Sequence, residues 1–128
     1  MTRQAVSTSG APSAIGPYSQ AIAVDGFVFC SGQIGLDPQS GELVSGGVEA
    51  QAERALRNLE AVLDAAGLAM ADVVKTTLFL ADIGDFAAVN AVYGRHMSDP
   101  PPARSTFAVV ALPKGGLVEV EAIARRSA

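Results

Sequence analysis

Ala52, Ala55, Leu56, Leu59, Val62, Leu63 and Ala66 recur at the i, i+3, i+4 spacing of one buried helical stripe. Glu49, Glu53, Arg57, Glu60 and Asp64 fall off that stripe and face water, and Gly67 supplies the C-terminal stop. A helix with a single apolar stripe must lay it on another layer, so this segment demands a partner surface. Only one other stretch reads as helix. Asp82 is a good N-cap for it, and the segment reaches roughly His96, burying Phe86, Val89 and Tyr93.

The remaining patterned segments are strands. The first runs from Tyr18 to about Val24, Asp25-Gly26 is a two-residue turn signal, and Phe27 to Ile34 returns as the second. "GLDPQSGEL" is a turn-rich loop. Asp72 to Leu80 forms the third strand, Arg104 to Val110 the fourth and Val118 to Ala124 the fifth, the last two joined through "ALPKGGL". Met1 to Gly16, rich in Ser, Ala, Thr and Gly, is expected to be irregular. The predicted order is ββαβαββ, a single α+β domain over residues 1–128 with both helices on one face of a mixed sheet. Val109, Val118, Val120 and Ile123 make the late strands apolar without clean alternation. Both sheet faces therefore want burial, which predicts partner subunits on the helix-free side.

Composition narrows the function. Apolar residues make up 49% of the 128, yet only 5% are aromatic and none is Trp, so the core is built from Ala, Val, Leu and Ile. The net charge is −4 and the nine basic residues are scattered, leaving no stripe for nucleic acid or an anionic membrane. Cys30 is the only cysteine, which fits a reducing compartment, and neither a signal-peptide pattern nor a membrane-length apolar run occurs. A cytoplasmic location is expected. One His and one Cys cannot make a usual zinc or iron site. Neither G-x-G-x-x-G nor G-x-x-x-x-G-K-[ST] is present, so no metal and no nucleotide cofactor is expected. His96 reads as a surface cap at a helix end, and Cys30 as a small buried strand residue.

One stretch resists a purely structural reading. In "DPPPARSTFAVVALP", Asp99 to Pro113, three prolines form a stiff extended lead-in to Arg104. Arg104 either marks where a strand emerges into water or aims its donors at an anion the chain does not supply.

Six stretches in order carry a resemblance: "IGPYSQA" (Ile15 to Ala21), the "SGQI", "LDP" and "SGE" of Ser31 to Glu42, "VVKTTLFLAD" (Val73 to Asp82), "DFAAVNAVY" (Asp85 to Tyr93), "PARS" (Pro102 to Ser105) and "VEVEAIA" (Val118 to Ala124). From about residue 8 to residue 126 the chain resembles the RidA/YjgF family. The resemblance implies a chorismate-mutase-like fold and a homotrimer with a central barrel and clefts between subunits. It also implies hydrolysis of reactive enamines and imines, such as 2-aminoacrylate, to 2-keto acids and ammonia. Arg104 would then bind the substrate carboxylate and Glu119 would activate water. Tyr18, Ser31, Gly32 and Asn90 would line the cleft, with Thr106 beside Arg104 where a cysteine is common in the family. Arg95-His96-Met97 replaces the family's aromatic pair, and the loop before Pro100 is shorter. These departures, Thr106 included, bear on substrate preference.

Three expectations concern geometry. Glu121 should face away from Glu119. The fourth and fifth strands should form a hairpin near Lys114, with Glu119 opposite Val109 and Arg104 opposite Ala124. That register separates Arg104 from Glu119 by roughly 17 Å within one chain, so a shared site would draw them from different chains. The competing readings are a non-catalytic 2-keto acid sensor, an endoribonuclease, and a structural or chaperone-like protein.

Overall fold

The computed structural model describes residues 2–127. Eight elements build it: β1 (Gln4–Val6), β2 (Ala21–Val24), β3 (Phe27–Ile34), α1 (Gly47–Ala65), β4 (Val73–Leu80), α2 (Phe86–His96), β5 (Ala103–Ala108) and β6 (Val118–Arg125). The strands form one sheet in the order β1-β2-β3-β6-β4-β5, and this α+β arrangement packs both helices against one face. Among the described residues no helix is long and apolar enough to cross a membrane.

The helical stripe behaves as its spacing requires. Ala52, Ala55, Leu56, Leu59, Val62 and Leu63 are all buried, against Val28, Cys30, Val118, Val120 and Ala122 of the sheet. Burying each leucine contributes about 2 kcal/mol. The helix stops as expected, the amides of Gly67 and Leu68 donating to the carbonyls of Asp64 and Leu63. Asp25 and Gly26 both take positive φ (54° and 81°), as a tight hairpin between β2 and β3 demands.

Four expectations need correction. Residues 1–16 are not wholly irregular, because Gln4–Val6 adds an edge strand antiparallel to β2. The first predicted strand begins at Ala21, leaving Tyr18 in the preceding loop. Phe86 is half-exposed rather than buried. The last two strands do not form a hairpin: β5 lies parallel to β4 at the sheet edge, and β6 is antiparallel to β3 and β4 between them. The physical reason is visible in β6, which does alternate cleanly. Val118, Val120, Ala122 and Ala124 are all buried beneath the helices, while Glu119, Glu121 and Ile123 occupy the other face. A strand so thoroughly covered takes a central slot, and α2 carries β5 across to the edge.

Among the described residues nothing covers the face away from the helices. Phe29 and Phe107 stand on it 44% and 53% exposed.

Candidate active site

Two buried polar side chains organise one end of the sheet. Gln20 accepts from the Thr8 amide at 2.7 Å and donates to the carbonyls of Thr8, Ala11 and Pro12, pinning the N-terminal segment over β3. Asn58 of α1 donates to the carbonyls of Ile34 and Leu36, fixing the exit of β3. Between these anchors the β3–β6 ladder carries one extra residue, between Cys30 and Gln33, and this bulge turns Ser31 and Gly32 toward an open cavity.

That cavity, about 600 Å³, is lined by Tyr18, Ser31, Gly32 and Glu119, with Ile15, Leu36 and Lys114 at its margin. The Ser31 hydroxyl donates to the Ser19 carbonyl at 2.6 Å, holding the Tyr18 segment in place. Tyr18 is 54% exposed, so its ring is free to meet a ligand. The Glu119 carboxylate lies directly over Gly32: a Cβ there would come within 1.8 Å of Oε2. Desolvation first, and the neighbouring Glu121 second, raise the Glu119 pKa above the ordinary carboxylate value. Glu121 is therefore on the same face as Glu119, not the opposite one, because strand residues two apart point the same way.

Arg104 lies elsewhere. It pairs in register with the buried Thr76 of β4, on the face that α2 covers. Its Nη1 donates to Asn90 Oδ1 at 2.7 Å, and its guanidinium carbon stands 4.8 Å from the Tyr93 ring centre and 5.5 Å from that of Phe86. Among the described residues no carboxylate lies within ion-pair distance of it. Thr106 shares this face, and its hydroxyl is buried without a partner among the described residues.

The predicted site residues thus form two groups. Tyr18, Ser31, Gly32 and Glu119 meet in one cavity, while Arg104, Asn90 and Thr106 gather at the β5 edge. Glu119 is in register with Phe79 and so with Phe107, whereas Arg104 aligns through Thr76 with Ala122. Two strands and three residues of ladder separate them by roughly 14 Å between Cα atoms, replacing the hairpin estimate, and their side chains leave opposite faces. Sequence reasoning missed the aromatic contacts of Arg104, although Phe86, Asn90 and Tyr93 stand at i, i+4 and i+7 of one helix. Of the two residues set aside, Cys30 is buried and its thiol is pushed up to about 12 by burial. His96 is not a surface cap. Its side chain is 13% exposed and its Nε2 donates to Glu53 Oε1 at 2.8 Å, linking α2 to α1.

The fold is that of a small α+β protein with two helices on one face of a six-stranded sheet, a half-buried carboxylate at Glu119 and, among the described residues, no ion-pair partner for Arg104. The profile of the family described as Endoribonuclease L-PSP matches residues 8–126, and the chain belongs to this RidA/YjgF family. It is 56% identical to Protein DfrA of Myxococcus xanthus over 97% of this chain and 96% of that one. It is 52% identical to the human 2-iminobutanoate/2-iminopropanoate deaminase over 97% of this chain and 90% of that one. The crystal structure of Escherichia coli TdcF with bound serine superposes with a TM-score of 0.92 at 43% identity, covering 97% and 99% of the two chains.

Proposed function

We propose that the protein hydrolyses small carboxylated enamines and imines to 2-keto acids and ammonia, with no metal or nucleotide. The observation that carries this reading is Arg104, held by aromatic rings and an amide with no carboxylate partner among the described residues. A guanidinium so placed grips a carboxylate through two parallel donors, which fixes orientation as well as position. The name of the human relative and the serine bound to TdcF support a small carboxylated ligand.

In the reaction, water adds to the imine carbon, the C–N bond breaks, and ammonia leaves a carbonyl behind. Glu119 orients that water, takes its proton as the new C–O bond forms, and returns it to the nitrogen, which then leaves as ammonia. Tyr18 and the Ser31–Gly32 bulge shape the cavity around the substrate, and Thr106 offers its free hydroxyl near the carboxylate. The two groups face opposite sides of one sheet, so the reading needs a second chain to complete the site, and we place it in a homotrimer whose barrel packs the bare faces together. Each cleft then joins Arg104 of one chain to the Glu119 cavity of the next. The lone, buried thiol of Cys30 suits a cytoplasmic setting. An endoribonuclease role, suggested by the family's description, fits poorly with scattered basic residues and a net charge of −4.

The test follows keto-acid release while a pyridoxal-phosphate dehydratase generates the imine in situ. The protein should accelerate it, and Arg104→Lys should fail because a point charge cannot reproduce the fork. Glu119→Gln should abolish turnover while retaining ligand, which excludes a sensor. Unchanged release at saturating protein, across several amino-acid-derived imines, would sink the proposal.

A further inference from the structure

The contacts around Arg104 come from a single helical stripe and a single buried hydrogen bond. Phe86, Asn90 and Tyr93 project from one side of α2 onto the guanidinium. Asn90 occupies one N–H edge, and the two rings confine the charged plane without neutralising it. Tyr93 is itself buried, and its hydroxyl lies 2.6 Å from the hydroxyl of Thr76, which is fully buried. Thr76 is in turn the ladder partner of Arg104. The chain thus closes a loop: the β4 residue beside Arg104 anchors the tyrosine whose ring meets the Arg104 side chain.

We propose that Tyr93, anchored by Thr76, is a positioning residue that sets the guanidinium of Arg104 for an incoming carboxylate. The inference rests on the carboxylate-binding role given to Arg104 above. Neither Thr76 nor Tyr93 needs to touch the substrate. Arginine has several rotatable bonds, and an arginine left to wander would lose that freedom at each binding event. A ring fixed by a buried hydrogen bond incurs that cost during folding instead, and a cation above an aromatic face keeps its donors available at its edge. Because the carboxylate persists through hydrolysis, a loosened guanidinium weakens substrate and transition state alike, which raises KM and leaves kcat unchanged.

The experiment measures kcat together with the affinity for 2-oxobutanoate by calorimetry, with melting temperature recorded for every variant. Tyr93→Phe and Thr76→Val each remove the buried hydrogen bond and should weaken affinity about fivefold, with kcat held within about twofold. The double variant should resemble either single one, since both break the same bond. Tyr93→Leu, which also removes the ring, should weaken binding about tenfold further. In an Arg104→Ala background, Tyr93→Phe should change affinity no further. Unaltered affinity in Tyr93→Phe and Thr76→Val, with Arg104→Ala defective, overturns the positioning role and leaves the Arg104 reading intact. The same holds for a fall in melting temperature without a change in affinity. Normal 2-oxobutanoate binding by Arg104→Ala overturns the Arg104 reading itself.

Discussion

Gly32→Ala separates catalysis from folding at a single atom. A Cβ at this position would lie 1.8 Å from Glu119 Oε2 and 2.7 Å from its carboxyl carbon. The backbone of Gly32 lies outside the left-handed region, so alanine meets no conformational penalty there. The clash is with the far end of a flexible side chain, and the carboxylate can swing away into the open cavity. Reaching an ordinary contact of 3.4 Å requires a retreat of about 1.6 Å, and misplacement on that scale costs about a hundredfold in rate. Stability should move the other way: replacing glycine where alanine fits stabilises by about 0.5 kcal/mol through the unfolded chain. The assay pairs dehydratase-coupled keto-acid release with urea denaturation. Turnover should fall about a hundredfold, 2-oxobutanoate binding should persist, and the urea midpoint should hold or rise. Wild-type turnover in Gly32→Ala would show that the Glu119 carboxylate has no positional role, and the water-activation argument would fail with it.

Two further outcomes follow from the same geometry. Glu119 has a raised folded pKa, so the folded state binds its proton more tightly than the unfolded chain does. Its contribution to stability is therefore lost as pH rises from the unfolded carboxylate value through the folded one. Glu119→Gln should melt higher than wild type at pH 7, with the gap closing toward pH 4 and below, and a constant gap would contradict the linkage. On the bare face, Phe107 is 53% exposed, and Phe107→Asp should place a charge inside the proposed trimer barrel. Sedimentation should give about three times the chain's 13.0 kDa for wild type and a single-chain mass, without turnover, for the variant; a wild-type single-chain mass would refute assembly.

How much of this was legible in the sequence depends on the range of the interaction. The α1 stripe and the Asp25-Gly26 turn are local, and both appear where the pattern puts them. The proposed site residues are legible as types and motifs. Their partition between two faces is not, because it depends on which strand takes the centre of the sheet. "ALPKGGL" carries the turn residues of a hairpin, yet β5 pairs with β4 through the α2 crossover. The deciding signal was the alternation of Val118, Val120, Ala122 and Ala124, which marks a strand covered by helices. The same period puts Glu121 beside Glu119. β1 has only three residues, too few for any periodicity, and its place comes from the free edge of β2. Tyr93 was legible as buried, but not as a neighbour of Arg104, since that contact needs α2 laid across β5.

The two proposed half-sites of one chain make a quantitative prediction about mixed assemblies. Arg104→Ala keeps an intact Glu119 cavity, and Glu119→Gln keeps an intact arginine clamp, so each is inactive alone. In a cyclic trimer every cleft takes Arg104 from one chain and Glu119 from the next. Any trimer that mixes the two variants then contains one cleft with both groups intact, whichever variant is in the majority. Equal mixing through unfolding and refolding makes about three quarters of the trimers mixed, each with one working cleft in three, so about a quarter of wild-type turnover should return. The measurement is keto-acid release from co-refolded variants, against the same variants refolded apart and then combined. Co-refolded material should recover near the calculated fraction, and the separately refolded mixture should stay inactive. If Arg104 and Glu119 instead served a site within one chain, no mixture would restore anything. Failure of co-refolded trimers of the correct mass to regain turnover would therefore refute the shared cleft.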